Sequence, residues 1–214
     1  ISLVCARRGA GPSLVVCPAS LVYNWQAEFQ KFAPKLDVAV VTGTTAQRRQ
    51  VRGERHEVYV TSYDLFRHDV RRWAGRPLWL VALDEVQCIK NHETLAARAV
   101  KALDARHRLA LTGTSIENRL SELWNIFDFL MPGLLGGYER FHERYDQPIA
   151  VGDHDVATHL RSAVGPFILR RLKTDVLADL PENMVERGRT EPGHGSCPSH
   201  RSGARRDGVQ GHRP

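Results

Sequence analysis

The chain has 214 residues, 42% hydrophobic and 25% charged, which fits one globular α/β domain with extra material. No apolar run approaches the roughly 18 residues of a membrane span, no signal peptide opens the chain, and its four Cys form no CxxC pair, which favours thiols of a reducing compartment over a metal site. The net charge of +6 is local: residues 187–214 hold six Arg against Glu191 and Asp207, while residues 1–186 hold 24 basic and 22 acidic side chains, so a near-neutral body gives no global argument for nucleic acid.

Apolar runs and helical stretches alternate along the chain. Leu14–Cys17 reads as a strand. Pro18-Ala19-Ser20 closes it and opens a helix over Leu21–Phe32, with Ser20 as a good N-cap. Leu21, Trp25, Phe29 and Phe32 form one apolar stripe on that helix. Free N–H groups at a helix start attract phosphate, although an ordinary strand-to-helix turn is the plainer reading of the residues alone.

Val38–Thr42 and Val58–Thr61 read as further strands and Leu65–Trp73 as a helix. Thr61-Ser62-Tyr63 places three hydroxyls after a strand, either as phosphate contacts or as a capped turn. Leu78–Leu83 is the most informative strand. Its run from Trp79 to Leu83 is continuously apolar, as in a strand buried on both faces of a parallel sheet, and it ends in Asp84 and Glu85. Carboxylates at that end of a strand stand where open α/β sheets bind ligands. The layout is that of a nucleotide-hydrolysing site, with Asp84 placed for Mg²⁺ and Glu85 for the attacking water. An acidic pair capping a loop is the competing reading.

Leu95–Leu103 carries helical spacing, and Arg108–Thr112 reads as another strand. The glycine of Thr112-Gly113-Thr114 permits close backbone approach. Such alternation implies right-handed crossovers and a parallel sheet with helices on both faces. Leu120–Leu130 follows as an amphipathic helix stopped by Pro132-Gly133, and 138–180 looks helical with breaks at Pro148 and Gly165-Pro166. From about Arg187 periodicity vanishes. The last 28 residues hold almost no apolar side chain, so they are expected to be disordered. Their composition resembles GC-rich DNA read in the wrong frame, and a frameshift explains it better than a functional basic tail.

The segment DEVQCIKN (84–91) resembles the DEAQ-type motif II of the Swi/Snf family of DNA-dependent remodelling ATPases, in helicase superfamily two. The likeness extends in order over about 165 residues. LVVCPASLVYNWQAEFQKFAP (14–34) resembles motif Ia and VYVTSYDLFRHD (58–69) resembles motif Ib. RLALTGTSIENRLSELWNIFDFLMPGLLG (108–136) resembles motif III with its extension, and GPFILRRLKTDV (165–176) resembles the segment closing the first lobe.

The resemblance implies a RecA-like first lobe that uses ATP and Mg²⁺ and translocates on double-stranded DNA, in contact with DNA-bound protein complexes. It implies that Asp84 holds the metal, that Glu85 orients water, and that Gln87 with Thr112, Gly113 and Thr114 relays the nucleotide state. Pro18, Ser20, Thr61, Ser62 and Tyr63 would hold a DNA backbone. Arg170, Arg171 and Lys173 would contact DNA or the second lobe, with a solvated basic face equally compatible. Ser115 stands where the family has Pro, and Val86 where it has Ala. The implied setting is a bacterial cytoplasm, associated with the nucleoid and not with a membrane.

No glycine is followed by Lys, so the phosphate loop G-x-x-x-x-G-K-[ST] does not occur in these residues. The chain starts at Ile1, which reads as a fragment without that loop, its strand or the second RecA-like lobe. The expected division is a partial lobe over 1–136, a helical extension over 137–186 and the tail over 187–214. Loss of a central strand would leave unpaired edges inside the sheet and a marginally stable chain. The chain alone is expected neither to bind ATP tightly nor to hydrolyse it. A non-catalytic DNA- or protein-binding module is the alternative. An RNA helicase of the same superfamily is disfavoured by Gln87 and by the stretch from Glu117 to Trp124.

Overall fold

In the computed structural model, residues 1–171 are described except 8, 74, 90, 92 and 114–119. A short helix α1 (Ser2–Ala6) precedes five strands: β1 (Ser13–Cys17), β2 (Val38–Val40), β3 (Val58–Ser62), β4 (Leu78–Leu83) and β5 (Ala105–Ala110). They form one sheet in the order β2-β3-β1-β4-β5, and every neighbouring pair is parallel. The connections carry α2 (Val22–Phe32), α3 (Thr45–Gly53), α4 (Tyr63–Trp73) and α5 (Leu95–Lys101). This is the expected α/β layout with helices on both faces.

The pleat explains the layering. Successive strand side chains alternate between faces. On one face Val15, Cys17, Val58, Val60 and Ala82 pack with Val22 and Phe29 of α2. On the other, Leu14, Val16, Tyr59, Val81 and Leu83 pack with Phe66 and Trp73 of α4 and with α5. All six residues of β4 are buried. At about 25 cal/mol per Å² of apolar surface, each such side chain contributes roughly 1.5–3 kcal/mol on burial.

Several expectations are corrected. β5 lies three residues earlier at its start than the Arg108–Thr112 run, so Thr112 and Gly113 fall in the loop beyond it. β4 pairs directly with β5 from Leu78↔Ala105 to Leu83↔Ala110. The five strands therefore leave no gap between them, and an unpaired edge lies on β5 at one end of the sheet. Ser20 is not the N-cap of α2; it lies inside a 3₁₀ turn over Ala19–Leu21, and α2 starts after Leu21 without a side-chain cap. Phe32 leaves the stripe of α2 and is 60% exposed.

Helix α3 was not anticipated by apolar periodicity, because its buried side chains are Arg48 and Arg52. Its local signal is a capping box. The Thr44 hydroxyl accepts from the Gln47 N–H, and the Gln47 side chain accepts from the Thr44 N–H. Gly43, at φ +82°, makes the turn into it.

After the loop, α6 (Leu120–Leu130) packs on the sheet with Ile126 and Phe129. Its other side, Leu123, Trp124 and Phe127, packs with Phe141, Tyr145, Leu160 and Val164. These come from α7 (Tyr138–Phe141), a π-helical turn (His142–Asp146) and α9 (His154–Val164), with α8 (Gln147–Ala150) between. The helices after Gly136 thus belong to the same compact unit as the sheet, Ile1–Phe167. A second unit begins at Ile168, of which residues 168–171 are described. Lys173, Thr114, Ser115 and the tail over 187–214 lie outside the described residues. No described helix is long and apolar enough to cross a membrane.

Candidate functional site

The site is built at the carboxyl ends of β1, β4 and β5. Asp84 follows β4 directly, and its N–H donates to Val16 O of β1 at 2.9 Å. The buried phenol of Tyr63, at the start of α4, donates to Asp84 O at 2.9 Å. Burial, then the nearby Cys88, Asp84, Cys17 and Glu85, drives that phenol well above its ordinary range, so it stays a donor. The Asp84 carboxylate is held at both oxygens. Glu85 N–H donates to Oδ1 at 2.9 Å and Trp25 Nε1–H donates to Oδ2 at 2.8 Å.

Glu85 adopts φ +49°, in the left-handed region, and no other described residue except glycine has a positive φ. Such a conformation costs on the order of 1–3 kcal/mol and persists where surroundings impose it. Here Val86 N–H donates to Leu111 O, and Leu111 N–H donates to Leu83 O. The turn after β4 is thereby clamped to the loop after β5. Val86 is buried in the sheet–α4 cluster, so the larger side chain is accommodated.

Gln87, in a 3₁₀ turn over Val86–Ile89, joins the two loops. Its Nε2–H donates to Glu85 Oε2 at 2.6 Å, and its Oε1 accepts from the Thr112 hydroxyl at 3.1 Å. A Cβ placed on Gly113 would come 4.0 Å from Glu85 Oε1. The side chains of Glu85, Gln87 and Thr112 therefore form one hydrogen-bonded unit beside the loop glycine. Below it, fully buried Asn125 of α6 donates through Nδ2 to Ile89 O and accepts from Lys101 Nζ at 2.6 Å.

The other anticipated residues are placed less simply. Thr61 is buried, and its hydroxyl donates to Val41 O at 3.0 Å. The buried Ser62 hydroxyl accepts from Leu65 N–H at 3.3 Å. Both hydroxyls, like that of Tyr63, are engaged inside the fold. Pro18 is half-buried and Ser20 exposed at the end of β1. Arg170 and Arg171 are exposed and belong to the unit beginning at Ile168.

Sequence reasoning missed Trp25 as a partner of Asp84, because its helical spacing assigned it to the core. It also missed the buried cluster in which Asp69 accepts from Arg48 Nε at 2.6 Å and Arg52 Nη1 at 2.5 Å. Charged residues at a helix face read as solvated until tertiary structure buries them.

A family model described as SNF2-related domain matches residues 3–191. The chain belongs to that family. Within it, the chain is 41% identical over 189 residues to the TATA-binding protein-associated factor mot1 of Schizosaccharomyces pombe, a match covering 82% of this chain and 10% of that protein. It is 37% identical over 175 residues to an uncharacterized ATP-dependent helicase, MG018, of Mycoplasma genitalium, covering 81% of this chain and 17% of that one. Among solved structures it matches the Sulfolobus solfataricus SWI2/SNF2 ATPase core in complex with dsDNA, with TM-score 0.77 and 38% identity, over 84% of this chain and 38% of that chain. The SNF2-related chain thus has the expected RecA-like architecture, and it spans between a tenth and a fifth of these two relatives. Because the relatives include fungal proteins, they lend no support to the expected bacterial, nucleoid-associated setting.

Proposed function

We propose that these residues serve an ATP-hydrolysing motor that moves on double-stranded DNA, with Asp84 as the Mg²⁺ ligand and Glu85 as the group that orients water. The observation that carries this reading is the unit Glu85–Gln87–Thr112, which ties the carboxylate to the loop after β5. A module that only held DNA has no use for a Glu strained at φ +49° and locked to Gln87.

The donor set fits a hard cation. Asp84 and Glu85 are adjacent carboxylates directly after β4. That matches Mg²⁺, which keeps several waters and takes phosphate oxygens beside one or two carboxylates. Asp84 would hold Mg²⁺, which when bound would supply positive charge to offset the negative charge developing on phosphate.

The protein's own contributions are positional. Trp25 and the Glu85 N–H hold the Asp84 carboxylate. Gln87 fixes one Glu85 oxygen and leaves the other to accept from water. Thr112, with Gly113 and Thr114, passes the state of Glu85 to the loop after β5. Pro18, Ser20 and the segment Thr61–Tyr63 are assigned to the DNA side, where the engaged hydroxyls of Thr61, Ser62 and Tyr63 support the turns. Arg170, Arg171 and Lys173 contact DNA or a second lobe. DNA-bound protein complexes are the partner class, in keeping with the name of the fungal relative.

The test is a chimaera in which residues 13–164 replace the matched segment of the Sulfolobus core. It should release phosphate in response to duplex DNA, and Glu85→Gln should lower that rate at least about 100-fold, the scale of a lost general base. Retained activity in Glu85→Gln would refute the assignment. The purified chain of 214 residues, which has no phosphate loop, is expected to release none; DNA-stimulated release by that chain would count against the reading.

A further inference from the structure

We infer that Trp25 is a positioning residue that links helix α2 to the metal-holding carboxylate, a role that rests on the reading of Asp84 given above. Its indole Nε1–H donates to Asp84 Oδ2 at 2.8 Å across 59 residues of sequence. The backbone of Asp84 is already fixed, by Val16 of β1 and by the Tyr63 hydroxyl. What remains to be set is the rotation of its carboxylate. Glu85 N–H, from the adjacent residue, fixes Oδ1. Trp25 fixes Oδ2 from a different element, so the plane of the carboxylate follows α2.

The choice of residue has a physical logic. Indole is a donor only and carries no charge. A Lys or Arg at this position would neutralise Asp84 and oppose a cation. The indole orients the oxygen and leaves its full negative charge. The ring itself is held in place. Trp25 is half-buried and packs at 5.9 Å, tilted by 39°, on Phe29, which is buried in the α2 face of the sheet.

The other end of this connection is the segment proposed to meet DNA. Pro18 and Ser20 lie within the seven residues before Trp25, and a 3₁₀ turn leads from them directly into α2. A displacement of that segment is carried by a rigid helix to the Asp84 carboxylate. The site then has two links to its DNA side: Gln87 to Thr112 on the β5 side, and Trp25 to α2 on the β1 side.

The test uses the 214-residue chain, with Mn²⁺ alone as a paramagnetic substitute for Mg²⁺. The chain has four Trp, 25, 73, 79 and 124, hence four indole N–H signals in a ¹⁵N spectrum. Mn²⁺ should broaden the Trp25 signal at lower concentration than the other three. Trp25→Phe keeps the ring against Phe29 and removes the donor. It should weaken Mn²⁺ binding about tenfold, the lower end of what loss of a group supporting a metal ligand costs, with the far-UV spectrum and melting temperature kept. Unchanged affinity in Trp25→Phe would overturn the role of Trp25 alone, provided Asp84→Asn abolishes binding. Undiminished binding in Asp84→Asn would instead overturn the metal reading of Asp84 and the role of Trp25 with it. The wild-type chain gives an independent check: equal broadening of all four indole signals contradicts the inference without any variant.

Discussion

Asp69 is the carboxylate shared by two buried guanidinium groups, and its removal is the sharpest test of how the chain is held together. The side chains of Arg48, Arg52 and Asp69 are 8%, 6% and 4% exposed. Arg48 keeps a second acceptor, Gly43 O at 2.6 Å. Among the described residues the Arg52 guanidinium bonds Asp69 alone, and its Nη2 has no hydrogen-bond partner. In Asp69→Ala, Arg52 is therefore left charged, buried and unmatched. Breaking a buried pair in this way costs about 3–5 kcal/mol. For a domain of this size each kcal/mol shifts the melting temperature by about 2–4 °C, so the expected loss is roughly 6–20 °C. The pH dependence is a second signature. Burial pushes the Asp69 carboxyl up, but the hydrogen bond from Arg48 and the charge of Arg52 outweigh it and hold the group below its ordinary value. A depressed carboxyl stabilises fully above its unfolded pKa of about 3.9 and loses that contribution as pH falls through the folded value. The wild type should thus exceed Asp69→Ala by a constant margin from pH 5 to 8, and the margin should shrink below about pH 4. Thermal melts followed by circular dichroism decide it. A shift under about 2 °C, or a margin unchanged at pH 3, would refute the reasoning.

Gly43→Ala places a Cβ at φ +82° and 2.5 Å from Gln47 Oε1; the left-handed backbone alone costs about 1–2 kcal/mol, measurable as a lower urea midpoint, and an unchanged midpoint contradicts the turn geometry. Asn125→Ala orphans the buried Ile89 carbonyl and a Lys101 contact, an expected loss of about 1–3 kcal/mol in the same assay; a neutral result would mean that α6 does not brace the Val86–Ile89 turn. Burial, aided by Asp84 and Cys88, pushes the Cys17 thiol up to about 12, and burial, then Glu85 and Asp84, raise that of exposed Cys88. A raised thiol carries less thiolate at a given pH. At pH 8 iodoacetamide should label Cys88 slowly, faster as pH rises, and Cys17 only in urea. Mass spectrometry showing prompt labelling of Cys17 in the folded chain would contradict its placement.

What the sequence made legible was whatever alternates or repeats. Leu14–Cys17, Val58–Thr61 and Leu78–Leu83 carry continuous apolar runs, and they are buried strands. The pair Asp84–Glu85 was legible because it interrupts such a run at its end. β5 was displaced in the reading because it is an edge strand. Its residues are intermediate or exposed and none is buried, so Arg106 and His107 hide it from an apolar search. α3 was illegible to periodicity for the opposite reason, since its inward face is arginine and only Thr44 and Gln47 announce it. Trp25 looked like core, and half of it is; an indole has an apolar body and one polar edge, and only tertiary structure shows where that edge points. Likewise, Thr61 and Ser62 read either as phosphate contacts or as a capped turn, and only tertiary structure shows Thr61 donating to Val41 O and Ser62 accepting from Leu65 N–H.

In the proposed motor, Gln87 is the bridge between hydrolysis and DNA engagement. Its most direct measurement is phosphate release by the chimaera described above, with and without duplex DNA, comparing wild type and Gln87→Ala. With the bonds to Glu85 and Thr112 removed, basal release should fall as Glu85 loses its tether, and the ratio of DNA-stimulated to basal release should fall by a further factor of at least about ten, the equivalent of about 1.4 kcal/mol of coupling. Stimulation that survives intact in Gln87→Ala would show that the contact joining β4 to the loop after β5 does not transmit anything.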